Sequence, residues 1–202
     1  MRNTAFLPGL LCGALAASLL APAFPQDAAP EGGDVDLAAM MEKARRFTEP
    51  GESHAFLARF VGTWETETTF PGMGMPAEKG TSTCSWLMDG RWLQMRGEGR
   101  MLGRETESYY LFGYDNFKQS FVTTAVSSLD TAMTHAEGDL TRDRKALITY
   151  GTLDEYLTGE HDKMVKSVWR FPDDDHIVLE IHDLPIGETG TQVVEVRFTR
   201  KG

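Results

Sequence analysis

Phe60-Val61-Gly62-Thr63-Trp64-Glu65-Thr66-Glu67-Thr68-Thr69-Phe70 is the stretch at which this chain changes period. Before Gly62, Phe56, Leu57 and Phe60 recur at helical spacing and form one apolar stripe. After it, β-formers alternate with polar residues. Trp64, Thr66, Thr68 and Phe70 share one face of a strand, and Glu65 and Glu67 share the other. An exposed acidic face accounts for the two glutamates without assigning them a role.

Downstream of Phe70 the alternation continues to the C-terminus, and no further helix is required. Strands are expected near 63–70, 77–88, 91–101, 104–114, 118–127, 130–138, 145–152, 161–171, 175–183 and 190–200. Turn chemistry separates them. Asp89-Gly90 is a two-residue hairpin signal and Asp115-Asn116 suits a tight turn. Arg142-Asp143-Arg144, Pro172-Asp173-Asp174 and Gly187-Glu188 mark later reversals. About ten short strands joined this way make a meander, and curling until the first strand meets the last removes both exposed edges. The expected fold is therefore all-β: a single antiparallel up-and-down β-barrel over residues 62–202, preceded by one or two short helices. A two-sheet sandwich is the alternative, but its crossovers need longer connections than most of these turns.

Upstream, Asp36 can cap a helix in which Leu37, Met40, Met41, Ala44 and Phe47 recur, and Pro50-Gly51 ends it. Ser53 is the expected N-cap of the second helix, whose stripe needs a surface such as the barrel's end. Residues 36–61 are thus read as short helices near that end. Residues 24–35 are rich in Pro, Ala, Gly and acid and are read as a disordered linker. Residues 1–23 have the form of a signal peptide: Arg2, an apolar run from Ala5 to Leu20, and Ala21-Pro22-Ala23 before a cut at Phe24. Cys12 lies within that run and leaves with it, so export to the periplasm or the exterior of a bacterial cell is expected of a chain whose mature part keeps Cys84 alone.

The formal net charge is −10, and loss of Arg2 with the leader makes it one unit more negative. Such a surface argues against nucleic acid and anionic membrane as partners. The leader's apolar run is too short for a good membrane span, and stable membrane insertion of the mature chain is not expected.

Gly62-Thr63-Trp64, between a helix and the first strand, resembles the Gly-x-Trp signature that opens lipocalins and related calycin barrels. The resemblance implies that Trp64 plugs the closed end and that an arginine of the last strand lies over its ring. Arg200, in Phe198-Thr199-Arg200-Lys201, is the better match and Arg197 the fallback. A wider set of pieces comprises Pro50-Gly51 with His54, Phe60 to Trp64, Asp89-Gly90-Arg91, Phe112-Gly113-Tyr114-Asp115-Asn116, Glu137-Gly138 and the C-terminal Phe-Thr-Arg-Lys. Together they resemble a bacterial exported family known only as domain of unknown function 1579 and described as lipocalin-like. Ala125 and Ser127 depart from that family's pattern, which implies a tryptophan and an aspartate there.

Small barrels either fill their interior or leave room for one ligand. Thr66, Thr68 and Phe70 on the first strand, Tyr110, Phe112 and Tyr114 on the fourth, and Ser167 and Trp169 beside Val165 on the eighth combine aromatic and hydroxyl groups. Such a lining suits an apolar body with one polar end, although a packed core with satisfied hydroxyls uses the same residues. Arg91 and Arg96 lie on opposite faces of the third strand, and Arg96 is the candidate grip for a ligand carboxylate, against a plain ion pair with a neighbouring acid. Met73 and Met75 are assigned to a portal loop over the open mouth; two thioethers are too few for a good copper(I) site.

No metal or cofactor is expected. His176, Glu180 and His182 alternate like a ligand set, but Ile177, Leu179 and Ile181 make the better inward face. His54 more plainly caps local backbone than serves as a base. No nucleophile elbow, phosphate-cradling loop or zinc-ligand pair appears. The leading expectation is an exported protein binding a small lipophilic or amphipathic molecule. The alternatives are an enzyme using the same pocket, with an inward ionisable group, or an interaction module presenting its helices.

Overall fold

The structure is a computed structural model that describes residues 36–156, 158–185 and 189–202. The leader expected over 1–23, the linker expected over 24–35 and the reversal expected at Gly187-Glu188 lie outside the described residues. The chain divides into two compact units, residues 1–39 and 40–202. The described part of the first is the start of helix α1 (Leu37–Thr48), where Asp36 Oδ1 accepts the Ala39 amide at 3.0 Å, an N-cap as expected.

Within the second unit, the end of α1 is held by Phe47 stacking on Phe117 at 4.4 Å and by the Asn116 side-chain amide donating to the Glu49 carbonyl at 2.9 Å. Helix α2 (Glu52–Phe56) and a 3-10 turn (Leu57–Phe60) follow. Ser53 is not the cap. Gly51 takes that place, and the buried His54 reaches back so that its Nδ1 accepts the Gly51 amide at 3.1 Å. The imidazole, at the third helical position, accepts the cap residue's own amide, whereas a capping hydroxyl would accept an amide of the first turn.

Ten strands then form one closed ring: β1 (Gly62–Thr69), β2 (Glu78–Leu87), β3 (Trp92–Met101), β4 (Arg104–Asp115), β5 (Ser120–Ser127), β6 (Thr134–Leu140), β7 (Ala146–Glu155), β8 (Glu160–Arg170), β9 (His176–Asp183) and β10 (Thr191–Arg200). Each is antiparallel to its neighbours in sequence. β1 closes on β10 with Trp64 opposite Arg200. Closure pairs the two edges that an open meander would expose, and the sandwich alternative falls.

Two local expectations are corrected. β6 starts at Thr134 rather than near residue 130, because Asp130 Oδ1 accepts the Ala132 amide at 2.9 Å and so folds the preceding segment into a turn. Asp89-Gly90 is not a two-residue hairpin. Leu87 pairs with Trp92, so the connection runs Met88–Arg91, with Met88, Asp89 and Gly90 all at positive φ. The two-residue turn is Leu102-Gly103, between the paired Met101 and Arg104, where both central residues have positive φ, as a type I′ turn requires.

Burial is uneven along the barrel. Leu57, Phe60, Trp64, Leu93, Phe112, Phe121, Leu147, Trp169 and Ile177 are fully buried and gather at the end where the 3-10 turn enters. Phe60 inserts among Phe112, Trp169 and Phe171 at ring separations of 4.8, 5.3 and 5.0 Å. Interlocked rings of this kind favour a rigid plug through area and edge contacts. The stripe read from the sequence thus serves as the barrel's floor.

Candidate functional site

The floor is locked by the pair that the sequence singled out. Trp64 Nε1 donates to the Phe60 carbonyl at 2.9 Å, and the Arg200 guanidinium lies 4.1 Å from the Trp64 ring centroid. Arg200 also donates from Nη1 to the Val61 carbonyl at 2.8 Å and from Nε to the Asp174 carbonyl at 3.0 Å. Gly62 has φ +137°, and a Cβ there would collide with Arg200 Nη1. Glycine is required at this position by backbone angle and by space together. The fallback, Arg197, pairs with Glu195 at 2.7 Å on the outer surface. Cys84, buried in the same core, has its thiol pushed up to about 12, first by burial, which leaves it protonated and unreactive.

Above the floor the barrel is hollow. A cavity of about 500 Å³ extends to the open mouth, within the range typical of small-molecule sites. Of the expected lining, Thr66, Thr68, Phe70, Tyr110, Ser167 and Trp169 stand on its wall, and Met73 stands at its lip. Phe112 and Tyr114 do not. They share Tyr110's face of β4, but that strand runs from lumen to floor. Phe112 is sealed between Phe60 and Trp169, while Tyr114 meets Phe121 at 5.0 Å and His54 at 5.9 Å. Met75 is half-buried away from the lining.

Arg96 is also corrected. Leu93 and Met95 are buried, so strand parity turns Arg96 outward. There its Nη2 meets Glu98 at 2.9 Å and Glu107 at 3.4 Å, and its guanidinium covers Tyr109 at 5.7 Å. It grips neighbouring acids outside the barrel and cannot hold a carboxylate within it.

Several wall residues were not anticipated. Gly80 faces Gly99 across β2 and β3, and a Cβ on Gly99 would lie 2.8 Å from the Gly80 Cα. The wall there is bare backbone, which widens the lumen; Gly97 and Gly99 at period two were the available signal. Ala125 and Ser127, the two departures from the family pattern, both line the cavity, where small side chains leave space. Ser82 and Thr149 are buried in the wall, and among the described residues their hydroxyls have no hydrogen-bond partner. Nearer the mouth, Lys163 Nζ pairs with Asp183 Oδ2 at 2.7 Å. Lys163 is held above its ordinary range by that hydrogen bond first, then by the charges of Asp183, Glu160 and Glu155.

The alternating histidines lie on the outer side, opposite the buried Ile177 and Leu179. His176 Nδ1 meets Asp173 at 2.8 Å, while Glu180 bridges Arg170 at 2.8 Å and His182 at 3.2 Å. Glu180 is held below the usual carboxylate range, chiefly by the Arg170 hydrogen bond. Among the described residues, no group of three or more His, Cys, Asp or Glu could hold a metal ion, and no helix is long and apolar enough to cross a membrane.

Among solved structures, Rv2717c from M. tuberculosis aligns at a TM-score of 0.52 with 10% identity, covering 76% of this chain and 100% of that one. At that identity the likeness concerns the fold alone. A de novo designed fluorescence-activating β-barrel aligns at 0.40 with 11% identity, covering 72% of this chain and 97% of the design. No curated protein matches the chain significantly. The model of a protein family of unknown function, DUF1579, matches residues 49–200, from the loop before α2 to the arginine that closes the barrel, and the chain belongs to that family.

Proposed function

We propose that this is an exported binding protein that holds one small lipophilic or amphipathic molecule inside the barrel. The observation that carries this reading is the open cavity of about 500 Å³ above a sealed aromatic floor, walled by Phe70, Met95, Tyr110, Trp169 and Leu179 with hydroxyls between them. A protein that needed only stability would fill such a space, since unfilled volume forfeits dispersion and transfer energy. Among the ionisable residues that line the cavity, Lys163 and Asp183 pair with each other, and Lys79, Glu98, Arg100, His135 and Asp154 are exposed, so the depth of the barrel offers contact rather than acid–base chemistry. Export through the leader would place the protein in the periplasm or outside the cell, where apolar molecules need a water-excluding carrier.

The test is to extract protein purified from a bacterial periplasm with organic solvent and identify released material by mass spectrometry, and to titrate the stripped protein with Nile red. Release of a defined apolar compound and saturable, blue-shifted Nile red emission are expected. A stripped protein that binds no apolar probe would overturn the reading.

A further inference from the structure

In the depth of the barrel, Tyr110 joins a large apolar body to an unused polar tip. Its ring is fixed from two sides, stacked on Phe112 at 5.9 Å and edge-on to Trp169 at 5.9 Å. The side chain is partly accessible although it lies inside the barrel, so its free surface is cavity wall. Among the described residues its hydroxyl has no hydrogen-bond partner, and burial raises the phenol above its ordinary range, which keeps it a neutral donor.

Two more hydroxyls are unpaired at hand. Ser82 on β2 and Thr149 on β7 occupy strands diametrically opposite in the ten-strand ring, and neither hydroxyl has a partner among the described residues. Buried hydroxyls without partners are costly, and a wall that keeps them leaves hydrogen-bonding capacity for something else. Each lies one χ1 rotation from a new orientation.

The charge pattern decides what that something is. Of the cations that line the cavity, Lys79 and Arg100 are exposed, and Lys163 is already bonded to Asp183 and lies 3.7 Å from Glu160, so an incoming carboxylate would meet acids as well as that cation. Between this pair and the floor, the wall presents the neutral polar groups of Thr66, Ser82, Tyr110, Thr149 and Ser167. A charged head placed among them would lose its hydration with no counter-ion to replace it.

We infer that the ligand is an uncharged amphiphile, an alcohol or ketone rather than a fatty acid or an amine, whose single polar head hydrogen-bonds the Tyr110 hydroxyl in the depth of the barrel while its apolar body lies towards the mouth. This rests on the binding function proposed above and specifies its ligand class.

The experiment is displacement of Nile red from the intact protein at pH 8 by 1-octanol, 2-octanone, octanoate, octylammonium and 1-chlorooctane, repeated with Tyr110→Phe and Thr149→Val. Octanol and octanone are expected to bind roughly five to ten times more tightly than chlorooctane, the worth of about one neutral hydrogen bond, and octanoate and octylammonium more weakly than either. Tyr110→Phe should erase the advantage of octanol over chlorooctane, and circular dichroism melting separates that loss from unfolding. Thr149→Val keeps the side-chain shape while removing a different hydroxyl and should leave the octanol advantage largely in place, and the ranking of the five heads in wild type supplies a second reading should Tyr110→Phe fail to fold. Equal or tighter binding of octanoate or octylammonium overturns the inference, as does an octanol preference that survives in a folded Tyr110→Phe protein. Nile red binding without discrimination among heads overturns the inference but leaves the binding function standing; failure of every apolar probe overturns both.

Discussion

The floor and the lumen of this barrel are built from the same strands and the same inward parity, yet they treat polar groups in opposite ways. At the floor, Trp64 Nε1 and the Arg200 guanidinium each meet a backbone carbonyl, and the rings around them are sealed. On the wall of the lumen, the hydroxyls of Ser82 on β2, Thr149 on β7 and Tyr110 on β4 have none among the described residues. Paired polar groups beneath packed rings give stability, whereas unpaired ones around an empty space cost it. The difference teaches that stability is concentrated at one end of the barrel and that the other end is kept open at its expense.

The strongest way to break that contrast is Trp64→Ala. It removes a fully buried indole, its hydrogen bond and the surface beneath Arg200, and should cost about 3–5 kcal/mol, read as a large fall in melting temperature. A variant nearly as stable as wild type would mean that the floor does not hold the barrel shut. Gly62→Ala should follow, at about 1–3 kcal/mol, because the new Cβ meets Arg200 Nη1 at a backbone angle that alanine rarely adopts; chemical denaturation would measure it.

At the other end the expected sign differs. Ala125→Trp restores the bulk that the family pattern implies there and fills space instead of making it. Melting temperature should hold or rise slightly, while Nile red affinity falls by about tenfold or more, which corresponds to about 1.4 kcal/mol of binding energy forfeited when the indole takes the probe's place. A large loss of stability would show that the lumen is already packed near Ala125.

The smallest effect concerns His54 beneath the floor. Burial first, and the charge of Arg91 second, hold its imidazole below the ordinary range, and the neutral ring accepts the Gly51 amide. A folded-state value below the unfolded one means that the unfolded chain binds the proton more readily. The contribution is therefore complete above about pH 6.5 and is lost as pH falls below it towards the folded value. Melting temperature measured from pH 7 to pH 5 should decline more steeply in wild type than in His54→Asn, and equal slopes would remove His54 from the acid response.

Much of the fold was legible in the sequence because a strand has a period of two and a meander has few ways to close. Alternation gave nearly every strand to within a few residues, and Gly62, Trp64 and Arg200 could be named because Gly62-Thr63-Trp64 and the C-terminal Phe-Thr-Arg-Lys resemble the closing elements of lipocalin-like barrels. The site was legible only in part. Parity correctly put Tyr110, Phe112 and Tyr114 on one face, but one face of β4 serves both lumen and floor, and only the strand's register against β3 and β5 decides where one becomes the other. Arg96 was open to either reading until the burial of Leu93 and Met95 fixed its side.

By itself, then, the sequence determined that this chain closes into a barrel, since closure follows from alternation and turn spacing, while the resemblance to Gly-x-Trp barrels implied which residue plugs it. The tertiary structure alone decided that the barrel is hollow. That property is summed over Gly80 on β2, Gly99 on β3, and Ala125 and Ser127 on β5, and no local period records a sum of small side chains taken around a ring.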